Sequence, residues 1–405
     1  MKHQTTTPQT DGLSRRDALM LTVLAGAISL AGCGGGADGG SSVAGVSSGG
    51  TGSFSTGSIT GLGSIIVGGV RFDDSKASSI RDFDNDTDLR GQLKLGMVVR
   101  VRGQAKSSDG LSADADTIEV RSELLGPIGS INSTAMTMVV LGQTVKVLPT
   151  TIFEDGLAGL SALSIGDIVE LHGFSEPASN SLSATRVERK RAGDVRTFKL
   201  QGAIRSLNSL AKTFSFNSLT IGFASADLGG LNLQEGLIVR VQLSTAVTGG
   251  SRTATKIRAN VLESTDVNEA ELEGTITTFI SGNQFSVNGV PVAASGIALP
   301  TGLALGARVE VEGSLVNGVL IARKVELENE NDPLKFELHG TISALNDSSK
   351  TFVLRGVTVG YSGPVRFEDG VAANLSNVGS QAIEVKGLLS ADGTRVNATE
   401  ISFDR

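Results

Sequence analysis

Residues 306–327 read GARVEVEGSLVNGVLIARKVEL and contain the pattern that decides the fold. A turn glycine, Gly306, precedes the alternating segment Val309-Glu310-Val311, and Ala322 stands three residues before Val325. Alternation of apolar and polar residues is typical of a strand with one buried face. The stretch therefore predicts two short β-strands rather than a helix.

The same landmarks recur along the chain in the same order. The turn glycines are Gly96, Gly166, Gly236, Gly306 and Gly379, and the first four are 70 residues apart. A Gly-x-Ile signature precedes each of them, at Gly57-Ser58-Ile59, Gly126-Pro127-Ile128, Gly202-Ala203-Ile204, Gly274-Thr275-Ile276 and Gly340-Thr341-Ile342. An internal repeat of this length indicates tandem copies of one small domain.

Within the second copy, the periodicity predicts strands over 126–132, 136–148, 150–153, 168–174 and 182–189, the long second strand being kinked at Gly142. We expect an all-β protein of five tandem OB-like Greek-key barrels of about 70 residues each. A flattened β-sandwich of the same strands is the alternative. The predicted segments are a signal peptide over 1–32, a linker over 33–56, and modules over 57–124, 125–192, 197–264, 268–329 and 334–405.

The modules resemble the bacterial domain of unknown function 5666. The resemblance is carried by the Gly-x-Ile opening, by the Val-x-Val-x-Gly strand of 99–103 and 309–313, and by the Leu-x-Ala-x-x-Val close of 182–187 and 320–325. It extends over about 57–405, and the third copy departs by carrying Leu243 where other copies have glycine. The resemblance implies tandem exported domains and brings no activity with it.

The N-terminus has the features of an export signal. An apolar stretch of about 14 residues, from Ala18 to Ala31, is shorter than the ~20 residues that span a membrane. It ends in Leu-Ala-Gly-Cys33, which resembles a lipobox, and Cys33 is the single cysteine of the chain. We therefore expect lipidation at Cys33 and a Gly/Ser tether after it, the alternative being a buried core cysteine.

The export route and destination are predicted from neighbouring residues. Ser14-Arg15-Arg16 with Leu19 resembles a twin-arginine motif, although Ala18 and Met20 depart from the usual pattern, and the general secretory route is the alternative. Gly34 follows the cysteine and is not the aspartate that often retains lipoproteins in the inner membrane. The sequence thus favours a lipid-anchored envelope protein of the outer membrane.

Candidate catalytic residues are few. The chain has three histidines, and it contains no nucleophile elbow, phosphate loop or HExxH motif. His172 falls at an outward position of a predicted fourth strand and His339 precedes Gly340, so we expect both on the surface. The sequence predicts a protein that is not an enzyme.

One acidic stretch is a candidate metal site. Asp82, Asp84, Asp86 and Asp88 occupy alternate positions, and hard cations such as Ca²⁺ bind carboxylate oxygens. The EF-hand pattern fails, because Thr87 and Leu93 stand where glycine and a bidentate glutamate are required. A Ca²⁺ site is therefore one hypothesis and a solvated acidic loop is the other, with no other cofactor expected.

Charge and composition restrict the partners. The chain has 52 glycines, 19% charged residues, a net charge of −7, no tryptophan and one tyrosine, which disfavours nucleic-acid binding. We expect a non-enzymatic protein that binds an envelope protein or polymer, or serves as a spacer. The alternative is an ion- or ligand-binding receptor, or an enzyme, with its site between modules.

Overall fold

The structure, a computed structural model, describes residues 52–106, 111–154, 156–176, 181–248, 251–259, 266–329 and 334–404. Arg15, Arg16 and Cys33 lie outside the described residues, so the export and lipidation predictions rest on the sequence. Among the described residues, no helix is long and apolar enough to cross a membrane.

The first barrel is a closed ring of strands. Its strands are β1 (Gly52–Leu62), β2 (Ile65–Val67), β3 (Val70–Asp73), β4 (Ser79–Asp82), β5 (Val98–Ala105) and β6 (Ser112–Val120). β1 pairs antiparallel with β2 and β5, β2 with β3, and β5 with β6. The parallel pairing of β3 and β4 with β6 closes the ring, which is the strand order of an OB-like barrel.

Four further sets of strands pair in the same order. Barrel 2 contains β7 (Leu124–Asn132), β8 (Thr137–Val140), β9 (Gln143–Phe153), β10 (Ile168–Glu176) and β11 (Ser181–Lys190). Barrel 3 contains β12 (Thr197–Ala203), β13 (Arg205–Asn208), β14 (Thr213–Phe216), β15 (Leu219–Gly222), β16 (Ile238–Thr248) and β17 (Ser251–Ala259). Barrel 4 contains β18 (Val267–Ser281), β19 (Gln284–Val287), β20 (Val290–Ala293), β21 (Arg308–Val316) and β22 (Val319–Leu327).

Barrel 5 contains β23 (Lys335–Asn346), β24 (Thr351–Leu354), β25 (Val357–Gly360), β26 (Arg366–Glu368), β27 (Ala382–Leu389) and β28 (Val396–Phe403). Short 3₁₀ turns cover Leu160–Ala162, Ala192–Asp194 and Ala372–Ser376. Parallel closing pairs recur between β9 and β11, β15 and β17, β20 and β22, and β25 and β28. The predicted all-β barrel class is therefore confirmed. The alternative of a flattened β-sandwich is wrong, because the strands of each barrel pair into a closed ring.

The recurring landmarks meet through one hydrogen bond. In each barrel the turn glycine donates its N–H to the carbonyl of the buried isoleucine in the Gly-x-Ile signature. The donor–acceptor pairs, each 2.8 or 2.9 Å apart, are Gly96–Ile59, Gly166–Ile128, Gly236–Ile204, Gly306–Ile276 and Gly379–Ile342. Each of these glycines has a φ between 76° and 93°, a left-handed conformation that disfavours residues with a side chain.

The strand division within the second copy differs from the prediction. The segment 136–148 is not one bent strand, because Leu141 and Gly142, with φ values of 48° and 77°, form a two-residue turn between β8 and β9. Such left-handed pairs match the twist of a hairpin. The predicted third strand, 150–153, is the end of β9.

Barrel 1 contacts each of the other barrels, and barrels 2 and 3 also pack directly on each other. The apolar cores of barrels 1 and 5 form one cluster, and those of barrels 2 and 3 form another. Strand β1 also pairs in parallel with β18 of barrel 4 and with β23 of barrel 5. Residues between the barrels are consequently buried, and this arrangement positions the candidate site.

Candidate functional site

A cavity of about 640 Å³ lies where barrels 1, 2, 3 and 4 meet. This volume is within the range of small-molecule sites. Its charged lining residues are Arg100, Arg121, Glu123, Glu176 and Arg205. The polar lining includes Gln143, Gln201, Asn217, Thr277, Thr278 and Asn288, and the apolar lining includes Phe174, Phe216, Leu272 and Val290.

Barrel 1 contributes two buried arginines to the wall. Arg100 lies on β5 opposite Thr56, and its guanidinium is 3.6 Å from Glu119 on β6. Arg121 follows β6, and its guanidinium carbon lies 3.9 Å from the centre of the Phe83 ring. Burial, together with the charges of Arg240 and Arg100, lowers the pKa of Arg121 to about 9.

The two acidic lining residues contact cations behind the wall. Arg240 of barrel 3 lies 3.3 Å from Glu123, and burial raises the pKa of Glu123 despite that neighbour. Glu176 is ion-paired with Lys146 and also accepts a hydrogen bond from Ser183. Both carboxylates are therefore engaged by other side chains, as Arg100 is by Glu119.

The acidic stretch of barrel 1 docks against barrel 3. Lys199 lies 2.6 Å from Asp82, and Arg240 donates to both oxygens of Asp84 at 3.0 and 2.8 Å. Burial alone would raise the pKa of Asp84, but Arg240 and Lys199 outweigh burial and hold it at about 2. These carboxylates thus join two barrels by buried ion pairs.

The other two aspartates of this stretch point elsewhere. Asp86 lies 3.4 Å from Arg81, and Asp88 accepts the backbone N–H of Arg90. Within the described part of the chain, no group of three or more histidine, cysteine or acidic side chains is placed to hold a metal ion. Calcium binding by the stretch stays a prediction, and a melting temperature in calcium buffer that EDTA does not change would contradict it.

The two histidines have different environments. The prediction that His172 lies on the surface is wrong, because the outward face of β10 packs on barrel 1 and leaves His172 only 1% exposed. Its Nδ1 lies 3.2 Å from both the backbone nitrogen of Val98 and the carbonyl oxygen of Arg121, and burial lowers its pKa. His339 is partly exposed and contacts Asp404, as expected of a surface residue.

Sequence reasoning did not find the cavity. Its lining spans residues 56–290 and comes from four barrels, so no local motif marks it. One sequence signal could have indicated that the copies differ here. The position of Arg100 on β5 is taken in the other copies by Glu170, Arg240, Glu310 and Glu384. The cavity is therefore not a repeated site.

The fold and cavity define an all-β protein of tandem OB-like barrels with a polar cavity at one junction. The family model described as a domain of unknown function (DUF5666) matches residues 56–119, 126–188, 273–326 and 339–402. The chain belongs to this family. No curated protein matches the sequence. Barrel 3, with Leu243 in place of glycine, lies outside the matched residues, and the exact module boundaries stay a prediction.

Proposed function

We propose that the chain is a non-enzymatic binding protein of the cell envelope that holds a small polar ligand in the cavity between barrels 1 to 4. The observation that carries the proposal is the cavity itself, with about 640 Å³ and a lining of convergent polar side chains. A spacer or a surface for polymers has no need of a cavity of this volume. The lining side chains differ from copy to copy, as at the position of Arg100, which favours a receptor site over binding that repeats along the modules.

The proposal assigns no reaction to the cavity. In the lining that the structure describes, the nucleophile candidates are hydroxyls such as Ser175, Ser181, Ser206 and Ser215, and no histidine accompanies them. A serine or threonine nucleophile needs a neighbouring base to attack a substrate. Binding is the function that these side chains support.

The envelope location is part of the proposal and is supported by the sequence. Arg15 and Arg16 precede the apolar stretch, and Cys33 ends it. A lipid on Cys33 would tether the barrels to the outer membrane through the Gly/Ser segment that follows it.

A cavity-filling variant tests the binding role. Thr278 lines the cavity and is exposed to it, so Thr278→Trp places an indole in the space without entering a barrel core. Thr399→Trp is the matched control, on an exposed position of β28 in barrel 5. We expect at least one compound of a water-soluble metabolite library to raise the melting temperature of the wild type and of Thr399→Trp in a saturable way, but not that of Thr278→Trp. No stabilising compound, or equal stabilisation of Thr278→Trp, would contradict the proposal.

A further inference from the structure

We infer that the ligand is a small organic anion, with its acidic group against Arg100 and Arg121 and its apolar part against Phe174 and Phe216. The inference rests on the proposed function, because it assumes that the cavity binds a ligand. It adds the chemical class of that ligand.

The charge of the lining is the first argument. Three arginines and two glutamates line the cavity of a chain whose net charge is −7. Glu123 faces Arg240, and Glu176 is ion-paired with Lys146, so cations outside the lining balance both acids. Arg100 in turn lies 3.6 Å from Glu119, and the lining itself carries an excess of one positive charge, three arginines against two glutamates.

The grouping of the arginines is the second argument. Arg100 and Arg121 are buried near each other and near Arg240, and this proximity lowers the pKa of Arg121. Like charges held together in a poorly solvated place are stabilised by an anion between them. The guanidinium group is also the side chain best suited to bind carboxylate or phosphate through two parallel hydrogen bonds.

The apolar part of the lining is the third argument. Phe174 and Phe216 are each 2% exposed and form part of the wall, together with Leu272 and Val290 of other elements. Little of either ring is exposed, but a simple inorganic anion would leave most of the cavity of about 640 Å³ unfilled. A ligand with an acidic group and an aromatic or aliphatic body matches both parts of the lining.

Two dyes that differ in one charged group test the inference on the purified full chain. The anionic probe is 8-anilinonaphthalene-1-sulfonate, and N-phenyl-1-naphthylamine has the same ring system without the sulfonate. We expect saturable fluorescence of the anionic dye and an affinity at least about tenfold above that of the neutral dye, the size of effect that charged hydrogen bonds produce. Raising the salt concentration should weaken the anionic dye alone.

Arginine variants locate the charge that the dye recognises. Arg121→Gln should weaken the anionic dye about tenfold and leave the neutral dye unchanged. Arg205→Gln replaces an exposed residue of the lining and should weaken the anionic dye without risk to the fold. Arg366→Gln in barrel 5, an exposed arginine paired with Glu400, is the control and should change neither dye.

The outcomes separate the two proposals. Equal affinities for both dyes, each abolished by Thr278→Trp, would overturn the anion inference and leave the binding cavity intact. Binding of neither dye, or binding that Thr278→Trp does not affect, would overturn the inference, and the metabolite screen then decides on the proposed function separately. The anion inference would also be overturned if Arg121→Gln and Arg205→Gln bind the anionic dye as tightly as the wild type does.

Discussion

Single glycines explain why the fourth and fifth strands keep a fixed register. The register of four strands shifts at a glycine that faces an alanine of the following strand. The glycines are Gly103 on β5, Gly173 on β10, Gly313 on β21 and Gly387 on β27. A Cβ atom there would stand 2.1 to 2.5 Å from a backbone carbonyl oxygen of the neighbouring strand. In barrel 3, Leu243 takes this place opposite Ala254, and further irregularity follows in β16. In these four barrels the bulge brings the two backbones into close approach, which glycine permits, whereas barrel 3 makes the same shift at Leu243.

Gly313→Ala tests this requirement. The added Cβ would lie 2.1 Å from the carbonyl oxygen of Ile321, so β21 or β22 must move. We expect the free energy of unfolding to fall by about 1–3 kcal/mol, as in overpacked interiors. Gly363→Ala, where no atom lies within 4 Å of the new Cβ, is the control and should change stability little. Equal urea midpoints for the two variants would contradict the steric explanation.

The buried carboxyl group of Glu271 makes the folded state less stable as the pH rises. It is buried beside the Gly68 turn of barrel 1. Burial, followed by the hydrogen bond and charge of Glu310 and the charges of Glu312 and Glu273, raises its pKa well above its usual range. The folded state therefore holds a proton that the unfolded state loses above about pH 4.5. This contribution is complete below that pH and is lost as the pH rises toward the folded pKa.

Glu271→Gln removes the ionisation and keeps the shape of the side chain. We expect the variant to melt several degrees higher than the wild type at pH 8, at about 2–4 °C per kcal/mol, and to lose the advantage at pH 4. Glu269→Gln on the same strand is the control, because Glu269 is exposed and ion-paired with Arg323. A difference between Glu271→Gln and wild type that stays constant from pH 4 to pH 9 would contradict the assignment.

The elements were predictable to the extent that their signals are local. The turn glycines, the alternating fourth strand and the small residue of the fifth strand fix the barrel class, because each acts through neighbours within one copy. The hairpin at Leu141-Gly142 was missed because leucine rarely adopts a positive φ, whereas Asn288-Gly289 in barrel 4 has the sequence typical of that turn. Gly142 was correctly predicted to change the direction of the chain, but it does so in a turn between two strands and not within one bent strand.

Asp84→Ala tests the docking of the acidic stretch on barrel 3. Its carboxylate is bound by Arg240 and lies 3.5 Å from Lys199, and these three side chains are between 5% and 8% exposed. Removing one partner leaves buried cations unbalanced, so we expect a loss of about 3–5 kcal/mol. Asp86→Ala, whose side chain is 76% exposed, should cost much less, which urea unfolding of both variants would show.

The ion pair between Asp84 and Arg240 also predicts how the stability of the protein changes in acid. Because the pKa of Asp84 is about 2 in the folded protein and the ordinary value is 3.8, its contribution is present above pH 4 and is lost as the pH falls toward 2. The stability difference between wild type and Asp84→Ala should therefore narrow by about 2 kcal/mol as the pH falls from 4 to 2. A difference that stays constant over this range would contradict the ion-pair explanation.

At the scale of the whole molecule, barrel 1 contacts every other barrel. Thr185 and Arg186 of barrel 2 donate to the carbonyls of Gly96 and Leu95, Asp84 binds barrel 3, and β1 pairs with barrels 4 and 5. Arg186 and Asp84 stand at positions where the copies differ, and the pairing of β1 uses backbone groups, so the repeat pattern does not predict these contacts. The cavity arises from them, and for that reason the sequence predicted the barrels but not the site.

The membrane anchor is the remaining prediction at this scale. If Cys33 carries the lipid, Cys33→Ser should move most of the protein from the membrane fraction to the soluble envelope fraction, because the acyl chains on the cysteine would be its anchor in the bilayer. Arg15→Lys combined with Arg16→Lys should block export by the twin-arginine route and leave precursor inside the cell. Gln9→Ala, upstream of the motif, is the control for the export variants. Cys33→Ser protein that stays in the membrane fraction would contradict the lipid anchor, and unchanged export of the double lysine variant would favour the general secretory route.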